Sequence, residues 1–465
     1  MKCRWTGLRY SLCFLCFAAC SPLLATSASS VQTTRSGVHT WIVGPAKIER
    51  AYDALPCADG GLWLIASPMR QKANETPSAV LSRWAAGGKP LWERQIVGSV
   101  PIDIRFHLVS EPAGEVVVAG QSGGAFRMWR FSPEGELLWG QQLAADPANP
   151  GEVVAPDGNG GLYVALRQPP RGGGRPDRPE LLEGVTRIFQ YSEKGVLLRS
   201  YALEAVPETR QPGSGWLPSG SSGIQNPVSI SAVAGGGIAV VGYFAGMSGD
   251  QEGPTQGPSR ERLDYGWLSS GGGGMPQVKI FVDRWDESGR RLWTRLFGRM
   301  WNNLAFAVAS SEKGEIAVAG SSVWGACPDD RSLRPSGLRL FVAVYGNQAS
   351  LRWCREVEKN LSIGPMALSY QVDGGLLLLG EAKGPLLSTA PLSQGGRVFL
   401  AKLDGEGRLR WKWQVGEGMS RPFPHIAIGP GNRPAVAWAT AALGSRYRSQ
   451  EGETVSVGLL PMGLP

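Results

Sequence analysis

Apolar and polar positions along this chain do not alternate strictly, and two phrases recur instead. The first is a glycine turn followed by an apolar run that closes on a small residue six positions later. It spans Gly60–Ala66, Gly114–Gly120, Gly236–Gly242, Gly314–Gly320 and Gly374–Gly380. The second is a strand-like run, a polar turn, and a further run that opens with Gly and reaches Trp four residues on. It reads RMWRFSPEGELLWGQQL (127–143), KIFVDRWDESGRRLWTRLF (279–297) and RVFLAKLDGEGRLRWKWQV (397–415). GKPLW at 88–92 keeps the same Gly-to-Trp beat, with Trp at 92. Two copies are imperfect: 187–203 has Arg199 in the Trp place, and 340–357 keeps Trp353 but has Ala349 for the glycine.

Each phrase has a physical reading. Turns such as DESG and PEGE suit short hairpins, in which Gly supplies a positive φ at no steric cost. Apolar runs without alternation suit strands covered on both faces. An indole at a fixed place in each unit buries about 150–250 Å² and can fill the space between stacked sheets. An apolar strand placed before each first phrase gives a unit of four antiparallel strands. Six complete units begin near 50, 102, 150, 226, 303 and 362. A seventh has only three strands, in FPHIAIGP, RPAVAWATA and TVSVGLL, before the sequence ends. VHTWIVG (38–44), with Trp41 in the Trp role, supplies its fourth. The pattern predicts an all-β fold, a seven-bladed β-propeller of four-stranded antiparallel blades over 38–465, closed by the N-terminal strand as a molecular velcro. An eighth blade would have to be hidden in a long insertion. The repeat tryptophans Trp92, Trp139, Trp293, Trp353 and Trp411 are read as structural.

Composition narrows the function classes. The 465 residues are 42% apolar and 18% charged, with Gly 64 and Pro 34, which fits a packed core with many tight turns. The three histidines, His39, His107 and His425, are far apart in sequence, which speaks against a His-rich metal site or His-based catalysis. The net charge of +8 includes no block of five or six basic residues, so nucleic acid is not expected as a partner.

The first thirty residues read as an export signal. Lys2, Arg4 and Arg9 precede an apolar run from about Tyr10 to Ala19, too short to span a bilayer. Residues 1–20 form the signal peptide, and 21–37 a small, polar, flexible tether. Phe17-Ala18-Ala19-Cys20 resembles a bacterial lipobox, with Cys20 as the lipidation site; cleavage near Ala25–Ala28 is the alternative. Beyond the leader only Cys57, Cys327 and Cys354 remain. Export permits disulfides, and Cys327–Cys354 is the candidate pair because both fall in one repeat unit; free buried thiols are the other reading.

The segments AKLDGEGRLRW and DGGLLLLG resemble the bacterial β-propeller repeat proteins, many of them exported lipoproteins. They are similar, more loosely, to the quinoprotein-like (PQQ-type) propellers. The resemblance covers about 38–465 and implies fold far more than activity. The chain departs from the quinoprotein dehydrogenases, which generally have eight blades and often adjacent cysteines at the cofactor, and no cofactor is expected here. Ser21, after the candidate lipid-bearing Cys, implies outer-membrane sorting by the same resemblance.

In a four-stranded blade the a–b and c–d connections share one face, and here they are short. The insertions fall on the other face, at 167–184, 204–225, 244–276 and 322–336. Elaborated loops on a regular scaffold are where binding usually sits. Trp216, Trp267, Trp301 and Trp324 lie in this zone outside the repeat positions, accompanied by Tyr265, Arg260, Arg262, Asp264, Asp329 and Asp330. Two readings stand: a platform for a glycan, peptide or protein, or aromatics that pack the loops down onto the disc. The functional expectation is a non-enzymatic binding or scaffold module for an envelope protein or polysaccharide, outer-membrane or periplasmic, and touching the membrane only through Cys20. The alternative is an enzyme with its site in the central channel.

Overall fold

A computed structural model of the chain describes residues 32–33, 39–43, 48–57, 59–68, 78–97, 106–110, 114–122, 125–144, 153–167, 186–203, 224–246, 277–297, 303–322, 327, 338–361, 365–382, 397–417, 425–429, 433–441 and 453–459. These residues form an all-β structure. β1 (Gln32–Thr33) and β2 (His39–Val43) come first. Six four-stranded antiparallel sheets follow in sequence, each in simple up-and-down order. The first sheet is β3 (Ile48–Pro56), β4 (Leu62–Pro68), β5 (Ala79–Trp84) and β6 (Pro90–Val97). The second is β7 (Phe106–Ser110), β8 (Val116–Ser122), β9 (Ala125–Phe131) and β10 (Leu137–Ala144). The third is β11 (Val153–Pro156), β12 (Leu162–Arg167), β13 (Thr186–Tyr191) and β14 (Leu197–Ala202). The fourth is β15 (Ile224–Ala232), β16 (Ile238–Gly246), β17 (Gln277–Trp285) and β18 (Arg291–Phe297). The fifth is β19 (Asn303–Ser310), β20 (Ile316–Ser322), β21 (Leu338–Tyr345) and β22 (Leu351–Leu361). The sixth is β23 (Pro365–Tyr370), β24 (Leu376–Ala382), β25 (Arg397–Leu403) and β26 (Leu409–Glu417).

The last sheet joins the two halves of the sequence. β27 (His425–Gly429), β28 (Arg433–Ala441) and β29 (Glu453–Leu459) are followed by β2, which pairs with β29 from His39↔Leu459 to Val43↔Val455. β1 adds a fifth strand outside β2, so two residues of the segment read as a tether are paired.

Apolar side chains pack between consecutive sheets. Trp63, Leu81, Phe106 and Val118 fill the first interface, and Phe126, Met128, Leu162 and Val164 the second. Ala165, Ile188, Val240 and Phe281 fill the third, and Val241, Val282, Val318 and Phe341 the fourth. Val342, Val344, Leu378 and Phe399 fill the fifth. Leu379, Val398 and Leu400 meet Val436 of the last sheet, and Ala437 of that sheet meets Ala51, Leu62 and Leu64 of the first. The second strands, buried on both faces, explain the unbroken apolar runs: every residue of β20 is buried. First strands also touch in order, from β3 and β7 onward to β23 and β27, and β27 touches β3.

The Gly-to-Trp beat has a local cause. Each described third-to-fourth connection is a three-residue turn whose third residue has positive φ, a glycine in all but one, the G1-bulge hairpin. In the second sheet the Ser132 N–H donates to Glu136 O at 2.9 Å and the Gly135 N–H to Ser132 O at 2.9 Å, with φ 85° at Gly135. The indole of the preceding sheet lies on that glycine. A Cβ at Gly135 would come within 2.8 Å of the Trp92 ring, and one at Gly407 within 2.6 Å of the Trp353 ring. Each ring also donates its N–H to the turn: Trp92 to Pro133 O, Trp139 to Glu193 O and Trp293 to Asn347 O at 2.8 Å, and Trp353 to Gly405 O at 2.9 Å.

Two departures from the repeat resolve at this contact. Tyr201, two residues beyond Arg199 and so on the same strand face, takes the indole's place. A Cβ at Gly289 would meet its ring at 2.8 Å, and the ring stacks on Trp285 at 5.4 Å. Ala349 adopts φ 62°, the only positive-φ non-glycine among the described residues. Trp411 differs again. The last sheet has no hairpin between β29 and β2, since the chain joins there through its two ends. The Trp411 Nε1 is buried with no hydrogen-bond partner among the described residues, and its ring stacks on Trp413 at 4.5 Å.

Candidate functional site

The strand order divides each sheet into two ends of different character. The turn end carries the first-to-second and third-to-fourth hairpins, braced by cations one residue before the close of the third strand. Arg83 pairs with Asp59 at 2.6 Å and Arg130 Nε with Glu115 at 2.6 Å; Lys402 pairs with Asp373. Arg130 also donates to Glu193 O of the next sheet at 3.1 Å, and Arg284 donates to Gly236 O at 2.7 Å and to Trp285 O. These are satisfied structural cations, and burial lowers the Arg284 pKa.

The connection end is the candidate site. The long second-to-third connections leave it at 69–78, 168–185, 247–276, 323–337 and 383–396, and the third sheet reaches the fourth through 203–223. Pairing runs slightly further than the sequence pattern suggests: β16 and β17 stay in register to Gly246↔Gln277, so 244–246 belong to the sheet. Trp216, Tyr265, Trp267, Trp301, Trp324, Arg260 and Arg262 lie outside the described residues, as do Asp264, Asp329, Asp330 and Cys20.

The root of the 323–337 connection is described, and it is polar and cross-linked. Cys327 and Cys354 form a disulfide with Cα atoms 5.4 Å apart. Cys327 is buried in the interface of the fourth and fifth sheets, so the bridge ties the connection to the outer strand β22 and seats it between two sheets. On the same sheet Arg339 Nη1 forms a forked pair with Glu356 at 2.8 and 3.1 Å, Arg339 being 7% exposed. Ser321 and Ser322 are fully buried at the end of β20, and Ser321 Oγ has no hydrogen-bond partner among the described residues. Composition marked the cysteines, but nothing in the sequence marked this serine and arginine pair. Its only trace is two small polar residues closing an otherwise apolar run.

No group of three His, Cys, Asp or Glu that could hold a metal occurs among the described residues. Burial pushes the Cys57 thiol up to about 12 and the Tyr345 phenol up to about 12, and raises Tyr163 as well. Hydrogen bonds, first from the Ser288 hydroxyl, hold Asp286 at about 2. His107 and His425 lie on β7 and β27, first strands of different sheets.

No protein-family model matches the chain, and no curated protein matches it. Among solved structures it is similar to a polysaccharide lyase of family PL25, an ulvan lyase, with 9% identity, 89% of this chain and 95% of that one covered, and a TM-score of 0.47. A protein of unknown function from Bacteroides caccae is 12% identical over 81% of this chain and 93% of its own, at TM-score 0.35. Drosophila plexin A in complex with semaphorin 1b is 11% identical over 93% and 88%, at TM-score 0.41. These are β-propeller-like proteins, and likenesses at this level leave activity untouched.

Proposed function

We propose that the chain is a closed seven-bladed β-propeller of the bacterial cell envelope, exported and tethered through a lipid on Cys20. There it acts as a non-enzymatic binding or scaffold module for a protein or glycan partner. Closure is supported by the cyclic succession of sheet interfaces, the last of which sets Ala437 against Leu62 and Leu64, and by the β2–β29 pairing.

One observation carries the functional reading: the molecule is regular at one end and elaborated at the other. Every described hairpin at the turn end is tight, while each long connection leaves from the opposite end, with one of them pinned by a disulfide. A surface built that way keeps its frame fixed and gives its variable side chains to recognition. The residues assigned to that surface are Trp216, Tyr265, Trp267, Trp301, Trp324, Arg260 and Arg262, aromatic and arginine side chains of the kind that dominate binding hot spots.

The test is cross-linking and mass spectrometry of the full protein in a native envelope, beside a Trp267→Ala/Trp324→Ala variant. A reproducible partner, depleted in the variant, is expected. No partner under several conditions, or one unaffected by the substitutions, overturns the reading. Radioactive fatty-acid labelling of wild type against Cys20→Ala tests the anchor: label in both, or in neither, rules it out.

A further inference from the structure

We infer that β10 is a self-association edge, through which two copies of this chain pair antiparallel about a twofold axis. This goes beyond the binding reading, and a comparison among the outer strands carries it. An outer strand presents unpaired backbone N–H and C=O groups, and proteins guard such edges with charges or cover them. β6 carries Glu93 and Arg94, β14 carries Arg199, and β18 carries Arg291 and Arg295. β22 carries Arg352, Arg355 and Glu356, and β26 carries Arg410, Lys412 and Glu417. Two outer strands hold no Asp, Glu, Lys or Arg: β2, HTWIV, and β10, LLWGQQLA. β2 is already covered, because β1 adds to it antiparallel with Gln32 opposite Thr40 and Thr33 opposite His39. Within this molecule, then, one of the two uncharged edges accepts a further strand. β10 is the other, and no strand lies on it among the described residues.

The shape of β10 suits the contact. Past the bulge at Leu138 it runs in unbroken register from Trp139 to Ala144, a regular edge of the length a short ladder needs. Leu137 is 54% exposed and Leu138 46%, and exposed Val196, Leu197 and Leu198 occupy the equivalent place on the next sheet. This is apolar surface that an interface would cover, and since exposed leucines also open β6, β18, β22 and β26, it is the uncharged edge that singles out β10.

A second copy is the occupant for reasons of charge. A twofold contact sets a strand against itself, so any charge on it lies near its own kind. Of the fourth strands without a neighbour among the described residues, β10 alone has no charge to repel. Its centre is Gly140, Gln141 and Gln142, and a glutamine amide both donates and accepts, so the sequence is complementary to itself. Gln142 Oε1 already accepts from Arg127 Nε at 3.1 Å, which leaves its amide hydrogens to donate outward.

The experiment is sedimentation velocity on the full-length protein at about 50 μM, above the low-micromolar Kd that a small contact supports. Gln141 is exposed, so Gln141→Lys and Gln141→Glu leave the fold intact. A dimer is expected for wild type. Each variant alone associates at least about tenfold more weakly, since two like charges face each other. An equimolar mixture of the two regains the dimer, a result that misfolding cannot produce. Arg355→Glu on β22 leaves the dimer unchanged. A monomeric wild type, a dimer indifferent to both Gln141 variants, a mixture that stays monomeric, or a dimer lost in Arg355→Glu overturns the proposal.

Discussion

The two ends of these sheets obey different rules. At the turn end one geometric solution recurs: a three-residue hairpin, a positive-φ residue at its third position, and an aromatic ring of the preceding sheet lying on it. Side chains there serve the backbone, as when Asp286 Oδ1 accepts from the Ser288 and Arg290 amides at 3.0 and 2.9 Å. At the connection end the described residues repeat a plainer contact, a glycine near the close of the second strand opposite a third-strand Phe, as in Gly320↔Phe341 and Gly380↔Phe399. The fifth sheet adds a disulfide and a forked ion pair there, while a buried serine closes the second strand of both the first and the fifth sheet, at Ser67 and Ser321. Regularity at one end frees the other from any part in spacing the sheets. A binding surface can therefore diverge without loosening the frame.

The comparison breaks if the docked rings do not carry the frame. Trp293 packs in the interface of the fourth and fifth sheets and donates to Asn347 O at 2.8 Å. Trp293→Ala is expected to cost about 3–5 kcal/mol, read by chemical denaturation. An unchanged midpoint and slope would remove the structural role of the beat. The disulfide tests the other end. Cys327 and Cys354 are 27 residues apart, and releasing a loop of that size in the unfolded chain costs about 3.5 kcal/mol by loop entropy. Reduction, or Cys327→Ser/Cys354→Ser, lowers stability by that order, while amide exchange at the 346–350 turn stays as it was. Loss of protection at that turn would show that the two ends are one cooperative unit.

A finer test lies in the glycine slot. Gly407 has φ 79°, and a Cβ there would meet the Trp353 ring at 2.6 Å. Gly407→Ala is expected to cost about 2 kcal/mol or more, from the left-handed backbone and from the displaced ring. Ala349 occupies the same slot at φ 62°, and the indole above it still reaches Asn347 O. Ala349→Gly relieves about 1 kcal/mol of backbone strain and loses one buried methyl, so the midpoint moves by under about 1 kcal/mol. A large loss in Ala349→Gly would mean that the methyl is itself a packing element.

Much of this frame was legible because it repeats. Gly135 and Trp139 stand at a fixed spacing for a steric reason, and a steric reason leaves the same mark in each unit. The fourth strand of the last sheet could be found in 38–44 because an uncapped edge needs a partner. Tyr201 was missed for the converse reason. The ring is conserved in space but not in sequence place, and a two-residue shift along a strand returns a side chain to the same face. The candidate site was legible only as an excess of aromatic and arginine residues in long connections. The Arg339–Glu356 pair at the same end joins strands whose register no local pattern announces.

The smallest effect is also the most local. Asp286 is held at about 2, first by the Ser288 hydroxyl and then by the Arg290 amide, both of which bond the ionised form. Its ordinary value is 3.8, so its pKa is lowered on folding. A carboxylate lowered in this way contributes stability that is present above the ordinary value and is lost as pH falls through the folded one. The gain from Asp286 is therefore constant near neutrality and disappears between pH 3.8 and about 2. Asp286→Ala should lower the melting temperature slightly at pH 7, and the gap from wild type should close across that acid window. A gap that persists at pH 2 would mean that Asp286 acts through packing, and the recurring Asp or Ser at the head of these turns would need another explanation. A gap that is constant near neutrality and closes across that window would tie the turn-end hydrogen bonds to charge.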